Sequence, residues 1–388
     1  MPYYRQVGEI PAKRHTQFRQ PDGSLYAEEL MGEEGFSFDS SLLYHIHPPT
    51  ALKKIEGVES DPQTTTPNHP LKPRHFKTHQ LKAGGDMVKA RAVLLANEDC
   101  AISYYVGSDD SPLYKNAIGD EMVFIERGTG TLETVFGAIR FQPHDCLIIP
   151  ASVIHQYIID ESSEPVRALI LETRGHIGPP RRYLSRNGQF LEHSPYCERD
   201  QHAPTAPLLR DDTEVDVLVK HRGGLTRFVY EHHPFDVVGW DGCLYPYRFS
   251  VDDFEPITGR VHQPPPVHQM FEAPNLVVCA FVPRLFDYHP EAIPAPYNHS
   301  NVDSDEVLFY VEGDFMSRKG AGIEQGSISL HPGGHTHGPQ PGSVEASIGK
   351  KGTEELAIMI DTFRALDLGP GATDSEEDSY AWTWLEGR

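Results

Sequence analysis

Residues 299–339 read HSNVDSDEVLFYVEGDFMSRKGAGIEQGSISLHPGGHTHGP, and the rest of the chain is organised around them. This stretch offers an imidazole at His299, a carboxylate at Glu306 behind an acidic turn, an apolar run closed by Gly313, and a Gly/Pro turn that ends on His337. Two histidines and one carboxylate on one face of a metal ion leave its other positions open, which is the ligand set of non-haem Fe(II) oxygenases. On strands, His299 and Asn301 would share a face, as would Glu306, Leu308 and Tyr310, because side chains alternate with a period of two. A turn through Asp303 to Asp305 is expected to fold these two strands together, and the Pro332 turn to launch His337 onto a neighbouring strand. His335 competes with His337, since both lie on one face of the same short segment.

The pattern occurs twice in the chain. Asp305-Glu306 is followed by six residues and Gly313, and Asp120-Glu121 by six residues and Gly128. Asn301 precedes Glu306 by five residues, as Asn116 precedes Glu121, and Pro332 precedes His337 by five, as Pro150 precedes His155. The Glu-to-His separation is 31 residues in one copy and 34 in the other, a difference that one turn absorbs. This register selects His337 over His335 as the third ligand. It also exposes one break: where the second copy has His299, the first has Tyr114. Glu121 and His155 are left without a complete triad, so the first copy is expected to be metal-free and structural. His331 and His335 become candidates to orient a ligand or bond a substrate oxygen, and Asn301 to brace a ligand or the substrate through its amide. The paired pattern resembles the cupin barrel, and that resemblance implies an all-β-dominated chain with two jelly-roll-like barrels and few short helices.

The bulk properties agree with such a fold. A chain of 388 residues is long enough for two domains, and 33 Gly, 33 Pro, 17 Tyr and 18 Phe favour strands joined by many turns. The net charge of −22 argues against nucleic acid or an anionic membrane as a partner. The five cysteines are odd in number, scattered and never in a CxxC pair, so they read as reduced, packed thiols. No signal peptide and no apolar run of about 18 residues is found, which leads to a cytoplasmic expectation.

Outward from the motif, short apolar runs between Met87 and Asp160 alternate with Gly, Asp and Pro turns, as an antiparallel barrel requires, and VRALILET follows as a further strand. The rhythm resumes with NLVVCAFVP, EVLFYVEG, GSISLHP and ELAIMIDTF. Residues 1–80, with HIHPPT and PQTTTPNHPLKP, are expected to be an extended arm laid over a barrel or a neighbouring subunit, and 175–235 a connection plus another arm. These readings divide the chain into residues 1–235, the arm plus a degenerate barrel, and 236–388, the barrel bearing the site. The tail from Asp374 to Asp378 is expected to be solvated, with Trp382 and Trp384 docking it back. His262 and His268, in RVHQPPPVHQMFEA, are held beside a stiff proline run, which suits a general base, although a histidine beside a proline turn is more often structural.

LYAEEL with LLYHI, FDVVGW followed by YPYRF, HQPPPVHQMFEA, PYNHSN with DE before the apolar run, and SLHPGGHTHGP together resemble the homogentisate 1,2-dioxygenase family over most of the chain. The resemblance implies Fe(II) held by His299, Glu306 and His337, with His262 as the base and Tyr297 and His331 lining the pocket. The substrate it implies is a hydroquinone-type ring with O2. The activity is ring cleavage in tyrosine and phenylalanine breakdown, giving maleylacetoacetate from homogentisate, in a homo-oligomer that is a trimer or hexamer. Three departures stand out: a one-residue longer HxN-to-Glu spacing, a shorter chain than eukaryotic members, and Phe315 where the family has a pocket tyrosine. The last keeps another ring, such as gentisate, open as substrate. From other classes, a metal-dependent cupin isomerase or lyase and a non-catalytic binding protein remain as alternatives.

Overall fold

The structure is a computed structural model that describes residues 3–58 and 64–385; Met1, Pro2 and the Pro62-Gln63 end of the Pro-rich stretch lie outside the described residues. The apolar runs become strands where they were expected. Those of the first half are Ala92–Ala96, Cys100–Gly107, Glu121–Arg127, Gly130–Thr134, Gly137–Phe141, Asp145–Ile149, His155–Ile159 and Val166–Thr173. In the second half they are Leu276–Phe281, Asp305–Glu312, Ser327–His331 and Leu356–Thr362. Among the described residues the only α-helices are Ser343–Ser347 and Pro370–Ser375, and no helix is long and apolar enough to cross a membrane. The five cysteines are unpaired, with Cys100, Cys146 and Cys279 buried.

Two seven-stranded sheets form the first barrel. One is built around Asp145–Ile149, Glu121–Arg127, Val166–Thr173 and Cys100–Gly107, and the other around Gly130–Thr134, His155–Ile159 and Leu113–Asn116. The second half has one six-stranded sheet, ordered Gln269–Ala273, Leu276–Phe281, Leu356–Thr362, Asp305–Glu312, Ser327–His331, Arg74–Phe76. In each copy the glycine that ends the apolar run takes a left-handed backbone: Gly313 has φ +109° and Gly128 φ +85°. A Cβ there would press on the backbone of Glu355 or Val166 at 2.8–2.9 Å, so the turn both needs glycine's conformation and lacks room for anything larger. The two halves share one apolar core, in which Phe309 meets Tyr104 and Phe124 edge-on at ring separations of 5.9 and 6.0 Å.

The division expected at residue 235 does not follow the sheets. Val237–Gly242 pairs with Arg5–Gly8 and Ser40–His45, and Tyr247–Ser250 pairs with Asp145–Ile149, so FDVVGW and YPYRF belong to the first half. In the other direction, Arg74–Phe76 joins the second half's sheet, and Asp367–Leu368 joins the first half's. Among the described residues of the first 80, five strands form where an arm was expected, because partners distant in sequence supply the hydrogen bonds that local proline cannot. Nor is 175–235 only a connection. Thr213–His221 and Gly224–His232 form a hairpin, and the first of these runs parallel to Leu113–Asn116. Its charged ends are exposed while Val217, Leu218 and Val219 are buried, which is why composition hid it. The acidic tail is also less solvated than expected: Glu376 lies 2.6 Å from Arg74 and Glu377 2.8 Å from Lys77.

Candidate metal centre

Glu306 lies on the strand Asp305–Glu312, between Ser327–His331 and Leu356–Thr362, and the ladder sets it opposite His331 on one side and Asp361 on the other. Its chain neighbour Asp305 points to the other face. There one carboxylate oxygen accepts the Gly333 N–H and the other the Leu366 N–H, both at 2.8 Å. In the first copy Asp120 does the same for Ala151 and Ile177, at 2.9 Å each. The Asp-Glu pair therefore divides its work: the aspartate ties down the proline turn that leads to the second histidine, and the glutamate faces inward. Sequence reading found the pair but missed this duty of Asp305.

His299 and His337 are not carried on extended strands as expected. Each sits on a short irregular segment, and the two segments meet in a single antiparallel bridge, His299 N–H to His337 C=O at 2.8 Å and the reverse at 2.9 Å. His299 lies on a loop although Tyr114, at the same spacing from Glu121, lies on the strand Leu113–Asn116; the bridge supplies the register that a strand would have given. His299 Nε2 stands 3.3 Å from Glu306 Oε2, and His337 Nε2 stands 3.1 Å from Oε1. One ligand atom from each of the three residues lies within 4.8 Å of the others. The Nδ1 atoms face backbone carbonyls, of Tyr297 at 3.1 Å and of His335 at 3.2 Å. A neutral imidazole held this way carries its proton on Nδ1, so both Nε2 lone pairs point at a carboxylate that also only accepts. A cation among them satisfies all three, and this donor set fits a divalent metal ion. Burial alone would raise the Glu306 pKa, but the imidazoles of His299, His331 and His337 hold it well below the usual range. In its protonated form His299 would donate to Glu306, and that hydrogen bond raises its pKa.

The first barrel shows what happens when the ligand set is lost. Tyr114 pairs with His155 in the same register that joins His299 to His337, and Glu172 stands opposite Glu121 as Asp361 stands opposite Glu306. Here the guanidinium of Arg91 fills the space. It donates to Glu121 at 3.0 and 2.9 Å and to Glu172 at 2.8 Å, while Lys220 reaches Glu172 at 2.6 Å. Tyr114 and Asn116 complete the shell of Glu121, each at 2.9 Å. Two fixed cations thus answer two buried carboxylates. In the second copy no Arg or Lys bonds Glu306 or Asp361 among the described residues. The Asp361 carboxyl is pushed up to about 7 by burial and then by the charge of Glu306.

Other expected residues fall into place around this cluster. Asn301 donates its amide to Asp361 at 3.2 Å, as Asn116 does to Glu172 at 3.3 Å, so it ties the His299 loop to the sheet. His331 is fully buried with both nitrogens engaged, 2.8 Å from Glu306 and 2.8 Å from the Tyr380 hydroxyl, and so it does not line a pocket. Burial pushes it down to about 3. His335 is half-buried, its ring parallel to that of His337 at 6.2 Å, and it does not reach Glu306. Tyr297 is 54 % exposed beside His299, and its hydroxyl lies 3.4 Å from His262 Nε2. His262 is exposed at this entrance, with Asp287 3.5 Å from its Nδ1. His268 is half-buried against Phe281, and desolvation there pushes it down to about 3, as for a structural histidine. Phe315 is only 5 % exposed and packs on Tyr310 at 5.0 Å, so it is interior rather than pocket-facing.

Residues 5–251 match the family described as "Homogentisate 1,2-dioxygenase N-terminal". The chain belongs to the homogentisate 1,2-dioxygenase family. A protein of Saccharolobus solfataricus named "Putative dioxygenase SSO1533" is 39 % identical over 388 residues, covering 99 % of both chains. Homogentisate 1,2-dioxygenase of Caenorhabditis elegans is 26 % identical over 81 % of this chain and 76 % of its own. That of Emericella nidulans is 25 % identical over 92 % and 85 %. Among solved structures, a cupin 2 conserved barrel domain protein from Leptotrichia buccalis aligns over 76 % of this chain and 97 % of its own, with a TM-score of 0.35 and 10 % identity. As a member of the homogentisate 1,2-dioxygenase family, the chain is a dioxygenase.

Proposed function

We propose that this dioxygenase cleaves the ring of an acidic hydroquinone, with homogentisate as the first choice, giving maleylacetoacetate with both oxygen atoms of O2 incorporated. The observation that carries this reading is the meeting of His299 Nε2, His337 Nε2 and Glu306 in one group, with no Arg or Lys bonded to Glu306 among the described residues. These three side chains would hold Fe(II), with His331 and the Asn301–Asp361 link behind them. When bound, Fe(II) supplies an open-sided Lewis acid through which electron density passes from the electron-rich ring to oxygen. His262 Nε2 accepts the proton of the substrate hydroxyl, as a general base at the entrance. Tyr297, 3.4 Å away, holds that imidazole at the entrance through its hydroxyl. Burial of Glu306 and His337 keeps water from the carboxylate side, and His299, one-third exposed, faces the side from which substrate enters.

The alternative substrate is a different hydroquinone, such as gentisate; the buried Phe315, packed on Tyr310, does not bear on that choice. Homo-oligomer formation, as a trimer or hexamer, is supported by exposed Leu25, Leu30, Phe36 and Phe38 near the chain start. The test is anaerobic loading with Fe(II) followed by oxygen-electrode assays with homogentisate, gentisate and plain hydroquinone. Uptake with homogentisate supports the first choice, and uptake with another ring alone replaces it. No uptake with any of them favours a cupin isomerase, lyase or binding protein.

A further inference from the structure

We propose that the C-terminal tail is a working part of this metal centre, with Tyr380 acting as a positioning residue for Glu306 through His331. The inference rests on the metal reading above and goes beyond it. An ionised Glu306 only accepts hydrogen bonds, so the proton between it and His331 belongs to His331 Nδ1. His331 Nε2 is then a bare lone pair in a fully buried ring, and the Tyr380 hydroxyl 2.8 Å away donates to it. The chain of donors runs in one direction, from Tyr380 to His331 to Oε1 of Glu306. It fixes the rotation of the carboxylate and leaves Oε2 facing His299.

Two observations separate this role from simple anchoring. The tail is already docked without the hydroxyl: Trp384 Nε1 donates to the Gly338 carbonyl at 3.0 Å, Gln340 bonds Thr383 at 3.0 Å, and Glu376 and Glu377 are ion-paired. The first barrel also lacks the device. Its residue in register with Glu121 at the His331 position is Ile149, and its glutamate is held by Arg91 instead. The relay thus occurs only in the copy with a complete ligand triad.

The test is anaerobic titration with Co(II), read by visible absorption, in the wild-type chain, Tyr380→Phe, His331→Ile and the double variant. Loss of a group behind a metal ligand typically weakens binding by about 10-fold or more. Tyr380→Phe is expected to weaken Co(II) binding by about that factor and shift the ligand-field bands, with no further change when added to His331→Ile. Wild-type affinity and spectrum in Tyr380→Phe would overturn the proposal, as would an equal loss persisting in the His331→Ile background. A wild-type chain that binds no Co(II) overturns the metal reading itself, and this proposal with it.

Discussion

Arg91 stands where the first barrel has no ligand triad, and replacing it with Met tests how that barrel balances its charge. The guanidinium bonds Glu121 twice and Glu172 once, and the three side chains are 6 %, 1 % and 8 % exposed. Removing one partner of a pair buried this deeply costs about 3–5 kcal/mol, because the remaining carboxylate keeps its desolvation penalty without its counter-charge. Lys220 still reaches Glu172, which places the expectation at the lower end. With an unfolding entropy of about 2.1 cal/mol/K per residue, the 388-residue chain loses about 0.8 kcal/mol per degree, so the midpoint should fall by about 4–6 °C. The pH dependence follows the same pair. Burial would raise the Glu121 pKa, but the charge and hydrogen bonds of Arg91 hold it well below the usual range. A depressed carboxylate adds stability above its unfolded value of about 4.3, and that stability is lost as pH falls toward the folded value. Urea and thermal unfolding of Arg91→Met and the wild type should therefore differ most near neutrality and converge in acid. A loss below about 1 kcal/mol at pH 7, the range of exposed pairs, would refute the reasoning.

His262→Ala should lower kcat by about 10²–10⁴-fold while bound metal per chain stays unchanged, and loss of the metal instead would assign His262 a different role. His45 is pushed up to about 9: burial opposes its charge, but the hydrogen bonds it donates to Asp236 and Glu29 outweigh it. Its contribution, about 2–4 kcal/mol, is fully present below the unfolded value of about 6.5 and is lost as pH rises through 9. His45→Gln should flatten that decline in a denaturation series from pH 6 to 10, and an unaltered slope would count against it. Phe315→Tyr forces a hydroxyl into a buried contact with Tyr310 and should cost about 1–3 kcal/mol. It should leave the preference between homogentisate and gentisate unchanged, and a switch in preference would place residue 315 at the substrate after all.

The candidate site was legible because the motif is duplicated. The register from Asn116 and Pro150 picked His337 out of a histidine-rich turn, and Tyr114 marked the copy that lacks a ligand. What the register could not convey was the other half of each hydrogen bond. Arg91, Asp361, Glu172 and Tyr380 lie far from the motif, and each becomes a neighbour only through strand pairing or tail docking. The strands of the first barrel followed from alternating runs, but the ownership of Val237–Gly242 and Arg74–Phe76 did not. Short strands with proline or charge at their ends reveal nothing about partners a hundred or more residues away. The expectation that His331 could orient a ligand agrees with its contact to Glu306, whereas its full burial under Tyr380 depends on a tail contact that no local pattern shows.

The most direct test of the central claim is metal stoichiometry, measured by elemental analysis after anaerobic Fe(II) loading, for the wild-type chain and Glu306→Gln. One iron per wild-type chain and none in Glu306→Gln is the expected result, since the first barrel's place is taken by Arg91. Two metals per chain, or full retention in Glu306→Gln, would contradict it.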